Sequence, residues 1–327
     1  MTIPVTQDTP ITFSGTGNTQ AFSVSIDGKV IYNGRLSRKP GESTFTTYIN
    51  RIVKDYLSAR IELSTSSLLI EQPYYAREVT ISPTPSNGIR NYKVFADYSY
   101  DDGNVVVVEE TCSSSMPLSH IVDPRQRLIT SFVDLTDAEQ AYVELRDGSG
   151  NTVLPSKNKK CATINLQLGE RYIGKSFDVY DDREGRVLAA YKCERTCANY
   201  ALYYLNAHGG YDHLLLTGNV KRVDNLTRST IIRDVNNTTL AHGKRDISVS
   251  IQRTWELATD MLTDAQLALT HHVLGSPHAY LHDLNTREIV PVVITANRAD
   301  FKSYRNQGGK LSNLTLTVEE ATKRERR

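Results

Sequence analysis

The sequence has few of the residues from which disulfide scaffolds and membrane spans are built. It holds 4 Cys and 1 Trp among 327 residues, too few thiols for a disulfide framework. No apolar run reaches the roughly 18 residues of a membrane-spanning helix. Met1 to Asp8 also lack the basic and apolar regions of a signal peptide. We therefore expect a chain that is made in the cytoplasm and kept soluble, with free thiols and no membrane partner.

An excess of one charge sign is missing as well. The 38 Lys and Arg residues nearly balance 37 Asp and Glu, so no strong field attracts nucleic acid or an anionic surface. Tyr is plentiful instead, with 18 Tyr against 7 Phe, which favours sheets whose rings are half buried. We expect no specific nucleic-acid partner and a β-rich architecture.

The length predicts more than one domain. We predict an N-terminal β-rich module with one helix over 1–116, a β-sandwich-like module over 117–192, and a C-terminal α+β assembly module over 193–327. The fold class is mainly β with a few helices, built as tandem β-sandwich-like modules followed by a sheet-and-helix module.

Alternating apolar residues around tight turns predict β-hairpins. Phe22, Val24 and Ile26 precede Asp27-Gly28, a pair suited to the positive φ angles of a two-residue turn. A second turn is predicted at 147–151. A third hairpin is predicted across 181–185, with Phe177 and Val179 facing Val187, Ala189 and Tyr191.

Three helices are predicted from apolar spacing. The first spans Phe45 to Leu57 in about three turns. The second follows an N-cap at Thr196, places Ala198, Ala201, Leu202 and Leu205 on one face, and ends at Gly209-Gly210.

The third predicted helix, Thr263 to Leu274, has the most complete local signals. Thr263 and Gln266 form a capping box, and Leu262 and Leu267 have hydrophobic-staple spacing. Gly275 and Pro277 then end the helix. A strand alternating Leu314, Leu316 and Val318 follows the Gly308-Gly309 pair.

The stretch from Asp224 to Lys244 is polar and predicts a long exposed excursion. Excursions of this kind often carry a contact with another molecule. We take four residues within it as candidate assembly contacts: Asn236, Asn237, His242 and Lys244.

Residues that could carry chemistry occur without a recognisable spacing. Cys193 and Cys197 would share one helix face, but zinc needs four ligands, so we interpret them as unpaired structural thiols. Four histidines lie close together without a metal-binding motif and are interpreted as helix-surface and strand residues: His271, His272, His278 and His282.

Other polar clusters also lack a motif. Asp181, Asp182 and Glu184 lack the ligand ladder of a calcium loop and suit a solvated hairpin tip. The stretch 307–310 has no Gly five positions before Lys310 and has Leu311 in place of the Ser or Thr of a phosphate loop, so it predicts a turn. The basic tail 323–327 predicts a frayed end. We therefore expect no enzyme activity and no catalytic, cofactor or metal residues.

Three stretches of the C-terminal domain have a distinctive sequence: YYLNAHGGYDHLL at 203–215, YLHDL at 280–284 with VPVVIT at 290–295, and YRNQGGKL at 304–311. They resemble structural proteins of tailed phages and prophages of gut Bacteroidetes. The resemblance implies a virion component that is made in the cytoplasm of the bacterial host and assembles into a tail, neck or baseplate ring. It also implies a C-terminal module of tail-tube or distal-tail type, with copies of itself and other phage tail or neck proteins as partners.

The residues themselves leave two other function classes open. Tandem β-sandwiches with surface Tyr also suit a carbohydrate-binding or host-adhesion protein of the virion. A glycan hydrolase remains a third alternative, because folding can bring two carboxylates together without any sequence signature.

Overall fold

The structure is a computed structural model of the chain. It describes residues 2–4, 10–14, 17–57, 68–71, 76–84, 88–95, 120–133, 143–155, 161–182, 185–206, 210–232, 244–262, 266, 270–295, 302–306, 309–322 and 324–326. The described residues form mostly strands, in several antiparallel sheets with few helices, so the predicted β-rich class is confirmed.

The chain divides into two compact units. The first comprises 1–194 together with 205–212, and the second comprises 195–204 together with 213–327. The predicted border at 116/117 lies outside the described residues, and the division into three domains stays a prediction.

The first unit opens with two sheets that enclose one core. The larger has the order β1 (Thr2–Pro4), β8 (Arg90–Phe95), β7 (Ala76–Thr84), β3 (Thr19–Ile26) and β4 (Lys29–Ser37). The smaller pairs β2 (Pro10–Ser14) with β5 (Thr44–Tyr48). Apolar side chains from both sheets form one buried cluster that includes Phe13, Val24, Phe45, Ile81 and Val94. Such sheet-on-sheet packing is β-sandwich-like.

The predicted hairpin at Asp27-Gly28 is confirmed. Strands β3 and β4 pair antiparallel, and Ile26 lies opposite Lys29. Asp27 and Gly28 have φ angles of 48° and 80°, the left-handed values that a turn of this length requires.

The predicted helix from Phe45 to Leu57 is wrong in its first half. Phe45 lies on β5, and helix α1 covers only Asn50–Val53, followed by one 3-10 turn at Lys54–Tyr56. The run of β-branched and aromatic residues in 44–48 favours a strand, and pairing with β2 stabilises it. The periodic positions Ile49, Val53 and Leu57 are nevertheless buried in the core.

A second sandwich-like pair of sheets completes the first unit. One sheet has the order β10 (Arg127–Val133), β13 (Cys161–Gln167) and β6 (Leu69–Glu71). The other has the order β12 (Thr152–Pro155), β11 (Val143–Asp147), β14 (Ser176–Asp181), β15 (Arg186–Cys193) and β9 (Ile121–Val122). Their shared core includes Phe132, Ile164, Leu145, Phe177 and Val179.

Both turns predicted in this region are confirmed. Asp147 Oδ1 accepts hydrogen bonds from the backbone N–H groups of Ser149 and Asn151, and these bonds lower the pKa of the Asp147 carboxyl, with Asn151 the largest cause. In the other hairpin, β14 and β15 pair with Phe177 opposite Tyr191 and Val179 opposite Ala189.

A buried polar network ties residues 205–212 into the first unit. Ser131 Oγ accepts the backbone N–H of Tyr211 at 2.8 Å and lies 2.9 Å from Thr163 Oγ1. Asn206 Nδ2 donates to Asp212 Oδ2 at 2.9 Å. These groups satisfy one another away from water, which a buried polar cluster needs in order to be stable.

The second unit is organised by one mixed-length antiparallel sheet. The strands run in the order β17 (Tyr211–Leu216), β16 (Tyr200–Leu205), β20 (Ala279–Asp283), β21 (Ile289–Ile294), β24 (Thr315–Glu320), β19 (Lys244–Ala258) and β18 (Val220–Ile232). Separately, β22 (Lys302–Asn306) pairs with β23 (Gly309–Asn313), so the 307–310 stretch joins two strands of a hairpin. Leu314, Leu316 and Val318 are all buried, which confirms the predicted alternation.

The predicted helix that starts at Thr196 is wrong. Residues 200–205 form β16, which pairs antiparallel with β20 from Tyr200 opposite Asp283 to Tyr204 opposite Ala279. Every residue of 201–205 is buried, so this run satisfies helical spacing without being amphipathic. Its aromatic residues favour a strand, and pairing within the sheet decides the outcome.

The end of the third predicted helix is confirmed. Helix α2 covers Thr270–Leu274, and the Gly275 N–H donates to the His271 carbonyl at 2.9 Å. Leu262 is buried and Gln266 is helical, whereas Thr263 and Leu267 lie outside the described residues.

The predicted frayed tail is wrong over its described part. Arg324–Arg326 form β25, which pairs antiparallel with Val249, Ser250 and Ile251 of β19. Strand β19 offers an unoccupied edge beyond the end of β24, and the backbone of the tail takes it.

Candidate assembly hairpin and charged cleft

The predicted excursion takes the form of a long β-hairpin. Strands β18 and β19 contain 13 and 15 residues and pair from Val220 opposite Leu257 to Ile232 opposite Lys244, with a bulge at Ser229/Thr230. Strands in globular proteins usually have about 5 or 6 residues. Each strand of this hairpin is therefore more than twice as long as a typical strand.

Burial changes sharply along this hairpin. At its base, where β24 pairs with the other edge of β19, Trp255 is 4% exposed and Leu257 is 0% exposed. Farther out, Leu226 and Ile247 are 54% and 52% exposed. We call residues 224–232 and 244–251 the outer hairpin. Its described side chains are exposed or half buried, so it does not build the core.

Charged side chains line the hairpin in pairs. Arg222 donates two hydrogen bonds to the Asp224 carboxylate, at 2.9 and 2.8 Å. These hydrogen bonds raise the pKa of the Arg222 guanidinium. Arg228 Nη1 lies 2.9 Å from Asp246 Oδ2, across the two strands. Lys221 pairs with Glu256 at 3.1 Å. Exposed pairs of this kind contribute little to folding, so their main effect is to fix a charge pattern on the surface.

Lys244 is the one candidate contact residue within the described part of the hairpin. Asn236, Asn237 and His242 fall outside the described residues. Lys244 begins β19, with its backbone opposite Ile232. The proposed contact at these residues stays a prediction. The described strands place Ile232 and Lys244, which flank residues 233–243, next to each other.

A shallow cleft, open to solvent, lies on the sheet at the base of the hairpin. Its lining combines aromatic, charged and aliphatic side chains from five strands or their ends: Tyr200, Arg222, Arg253, Trp255, Leu281, Asp283, Glu288 and Val290. Sequence reasoning missed this cleft, because its residues are spread over about 90 positions without a motif and meet only through strand pairing.

The cleft is electrostatically balanced. Arg253 lies between Glu288 and Glu320, at 3.9 and 3.8 Å, with its side chain 19% exposed. Asp283 Oδ1 accepts the backbone N–H groups of Asn285 and Thr286, which fixes the turn after β20. Burial and the nearby Asp283 carboxylate raise the pKa of the Tyr200 phenol, so it remains a neutral donor and acceptor.

The residues considered for metal binding are dispersed. Cys193 is buried at the end of β15 and Cys197 is exposed, and both are free thiols. Burial raises the pKa of the Cys193 thiol to about 11. Asp182 pairs with Arg146, while Glu184 is outside the described residues. No group of three or more His, Cys, Asp or Glu suited to a metal ion occurs in the described part of the chain.

The four histidines also separate. His271 and His272 lie on α2, and His278 is exposed just before β20. His282 is buried on β20, where its ring stacks on Tyr203 and its Nδ1 lies 3.2 Å from the Tyr203 hydroxyl. The prediction of helix and strand positions is confirmed for His271, His272 and His282.

Comparisons with known proteins give no family. No protein-family model matches the chain, and no curated protein matches it. A structural match is to the full extracellular region of plexin A4, at a TM-score of 0.18 and 8% identity, covering 98% of this chain and 36% of that chain. The chain thus spans about a third of that protein's length, and a likeness at this TM-score carries no argument. Within the described residues, no helix is both long and apolar enough to cross a membrane.

Proposed function

We propose that this chain is a virion structural protein of a tailed bacteriophage that assembles as a homo-oligomeric ring in the tail, neck or baseplate. The observation that carries the proposal is the outer hairpin, which extends the sheet well past the buried core. The outer part of these two strands does not build the core, so it suits a contact with another molecule. The resemblance of 203–215, 280–295 and 304–311 to phage structural proteins supports the virion setting.

In this proposal each protomer contacts the next through different surfaces. The hairpin end, with Asn236, Asn237, His242 and Lys244, reaches a neighbouring copy, and the sheet of the second unit forms the body of the ring. A heterologous contact of this sort closes into a ring when its rotation divides a circle. Other tail or neck proteins bind the remaining surfaces.

Electron microscopy of the purified chain tests the proposal. We expect rings or short tubes of about six or more copies in class-averaged images. A tip-shortened variant, in which Asn-Gly replaces 230–247 and joins Ser229 to Ser248, keeps the pairing of β25 with β19. This variant should stay folded and lose the rings. Rings that form equally well without the tip would exclude the proposed contact.

A second candidate function, carbohydrate binding, is favoured by the cleft. Tyr200 provides an aromatic surface with a hydroxyl, and Arg222, Asp283 and Glu288 provide hydrogen-bonding groups around it. Sugar sites combine an aromatic face with convergent polar groups.

Saturation-transfer NMR with a panel of neutral and acidic monosaccharides tests this second function. Tyr200→Ala should abolish the transfer signal, while Tyr280→Ala, on the neighbouring strand and outside the cleft lining, should leave it intact. Absence of a signal from every sugar with the unaltered chain would exclude this function.

A further inference from the structure

Strand β18 is a long sheet edge with little protection against pairing. It pairs with β19 along one side, and among the described strands none pairs with its other side. Natural edge strands are usually short, or carry Pro, Lys or bulges that block a further strand. Val220–Ile232 contains no Pro and one Lys near its base, and the extra residue of the bulge, Ile247, lies on β19. Its backbone can therefore accept an added strand.

The sequence of this edge is complementary to itself. Leu226 is the midpoint of Val220–Ile232, with Asp224 two residues before it and Arg228 two residues after it. When two such strands pair antiparallel about a two-fold axis at Leu226, Asp224 of each copy lies opposite Arg228 of the other. The three residues also share one face of the strand, because side chains alternate.

Neighbouring registers lose this match. A two-fold axis at Asn225 places Arg222 opposite Arg228, which sets like charges against each other. An axis at Thr227 places Asp224 opposite Thr230, without a charge partner. An axis at Val223 pairs Arg222 with Asp224 but overlaps only about half of each strand. The Leu226 register combines full overlap with two opposite-charge pairs.

The side chains on this face are arranged to serve such a contact. Leu226 is 54% exposed at the centre and would pack against its own copy. Arg222 and Asp246 hold Asp224 and Arg228 in place within one protomer. A guanidinium has five N–H donors, so Arg228 can bind Asp246 and a second carboxylate at the same time.

We propose that two copies of this chain pair edge to edge along β18, antiparallel, about a two-fold axis at Leu226. This contact goes beyond the proposed ring, because a two-fold contact closes on itself and cannot propagate around a circle. It would join two protomers, or two rings, through an interface separate from the hairpin end.

Charge reversal tests the pairing. Asp224→Arg sets Arg against Arg at both symmetric positions, and Arg228→Asp sets Asp against Asp. Each single variant should weaken the dimer about tenfold or more, measured by sedimentation equilibrium. The double variant restores both opposite-charge pairs and should return to within about threefold of the unaltered chain. Lys221→Glu is the control, because its opposite position is the uncharged Ile231 in this register, and it should leave dimerisation unchanged.

Several results would overturn the proposal: no dimer of the unaltered chain, single variants that dimerise normally, or a double variant as weak as the singles. Circular dichroism checks folding, and Asp224→Asn and Arg228→Gln should show the same direction with a smaller effect if a reversal variant does not fold. A second shortened variant, in which Asn-Gly replaces only 233–243 and joins Ile232 to Lys244, keeps all of β18 and Asp246, so it should still dimerise while losing rings. The two proposals can therefore fail independently.

Discussion

The base and the outer part of the β18–β19 hairpin belong to the same two strands but have different physical support. At the base, β24 flanks β19, and Trp255 and Leu257 are buried in the sheet core. In the outer hairpin, Leu226 and Ile247 are mostly exposed, and the strands are held by their ladder, the tail strand β25 and exposed ion pairs.

The comparison separates what folds the unit from what is left for another molecule. Burial of apolar area contributes about 25 cal/mol per Å², so the base stabilises the unit and the outer hairpin adds little. A two-stranded ribbon alone is marginally stable in water. A ribbon of this length therefore suits a surface that gains its full support on assembly.

The largest expected contrast is between two leucines of this hairpin. Leu257→Ala removes a fully buried side chain and should lower the free energy of unfolding by about 2–5 kcal/mol. Leu226→Ala should change it by less than about 0.5 kcal/mol, because the side chain is exposed. Urea unfolding at a concentration where the chain is monomeric measures both. Equal losses would show that the outer hairpin is part of the folding core.

A buried hydrogen bond at the base should have the next largest effect. Thr259 Oγ1 accepts the backbone N–H of Leu314 at 2.9 Å, just past the end of β19. Thr259→Val leaves that N–H without its acceptor and should cost about 1–3 kcal/mol in urea unfolding.

Thr227→Val, on the exposed face of β18, is the matched control for Thr259→Val. It should change the free energy of unfolding by less than about 0.5 kcal/mol. A control variant as unstable as Thr259→Val would remove the distinction between the base and the outer hairpin.

The smallest effect is expected at the outer ion pair. Asp246→Asn removes the partner of Arg228, whose side chain is 60% exposed, and should cost less than about 1 kcal/mol at low salt. The cost should fall further at about 1 M salt, where the screening length is near 3 Å. Thermal unfolding at two salt concentrations measures this, and a salt-independent loss would indicate a more enclosed pair than the structure shows.

Local signals in the sequence predicted the hairpins correctly. Two of the predicted helices, in contrast, are strands wholly or in part. Asp27-Gly28 and the turn after Asp147 are specified by a few adjacent residues, so their prediction needs no tertiary information. Phe45 and the run 200–205 have helical spacing, yet pairing with β2 and β20 makes them strands. Apolar spacing alone cannot separate a buried strand from a helix.

The candidate surfaces were predictable to different degrees. The polarity of 224–244 predicted an exposed excursion, and the side chains of 224–230 are exposed. Its form as a paired ribbon depends on a register of strands that polarity does not encode. The cleft could not be predicted, because Tyr200, Arg253 and Asp283 are brought together only by the strand order of the sheet.

The most direct test of the assembly role is the mass in solution, by light scattering over a range of concentrations, of the unaltered chain and the tip-shortened variant. Our account predicts species larger than a monomer for the unaltered chain, including rings of about six or more copies, and no rings after shortening. An unaltered chain that stays monomeric at every concentration would contradict the proposed assembly, and so would rings that persist in the shortened variant.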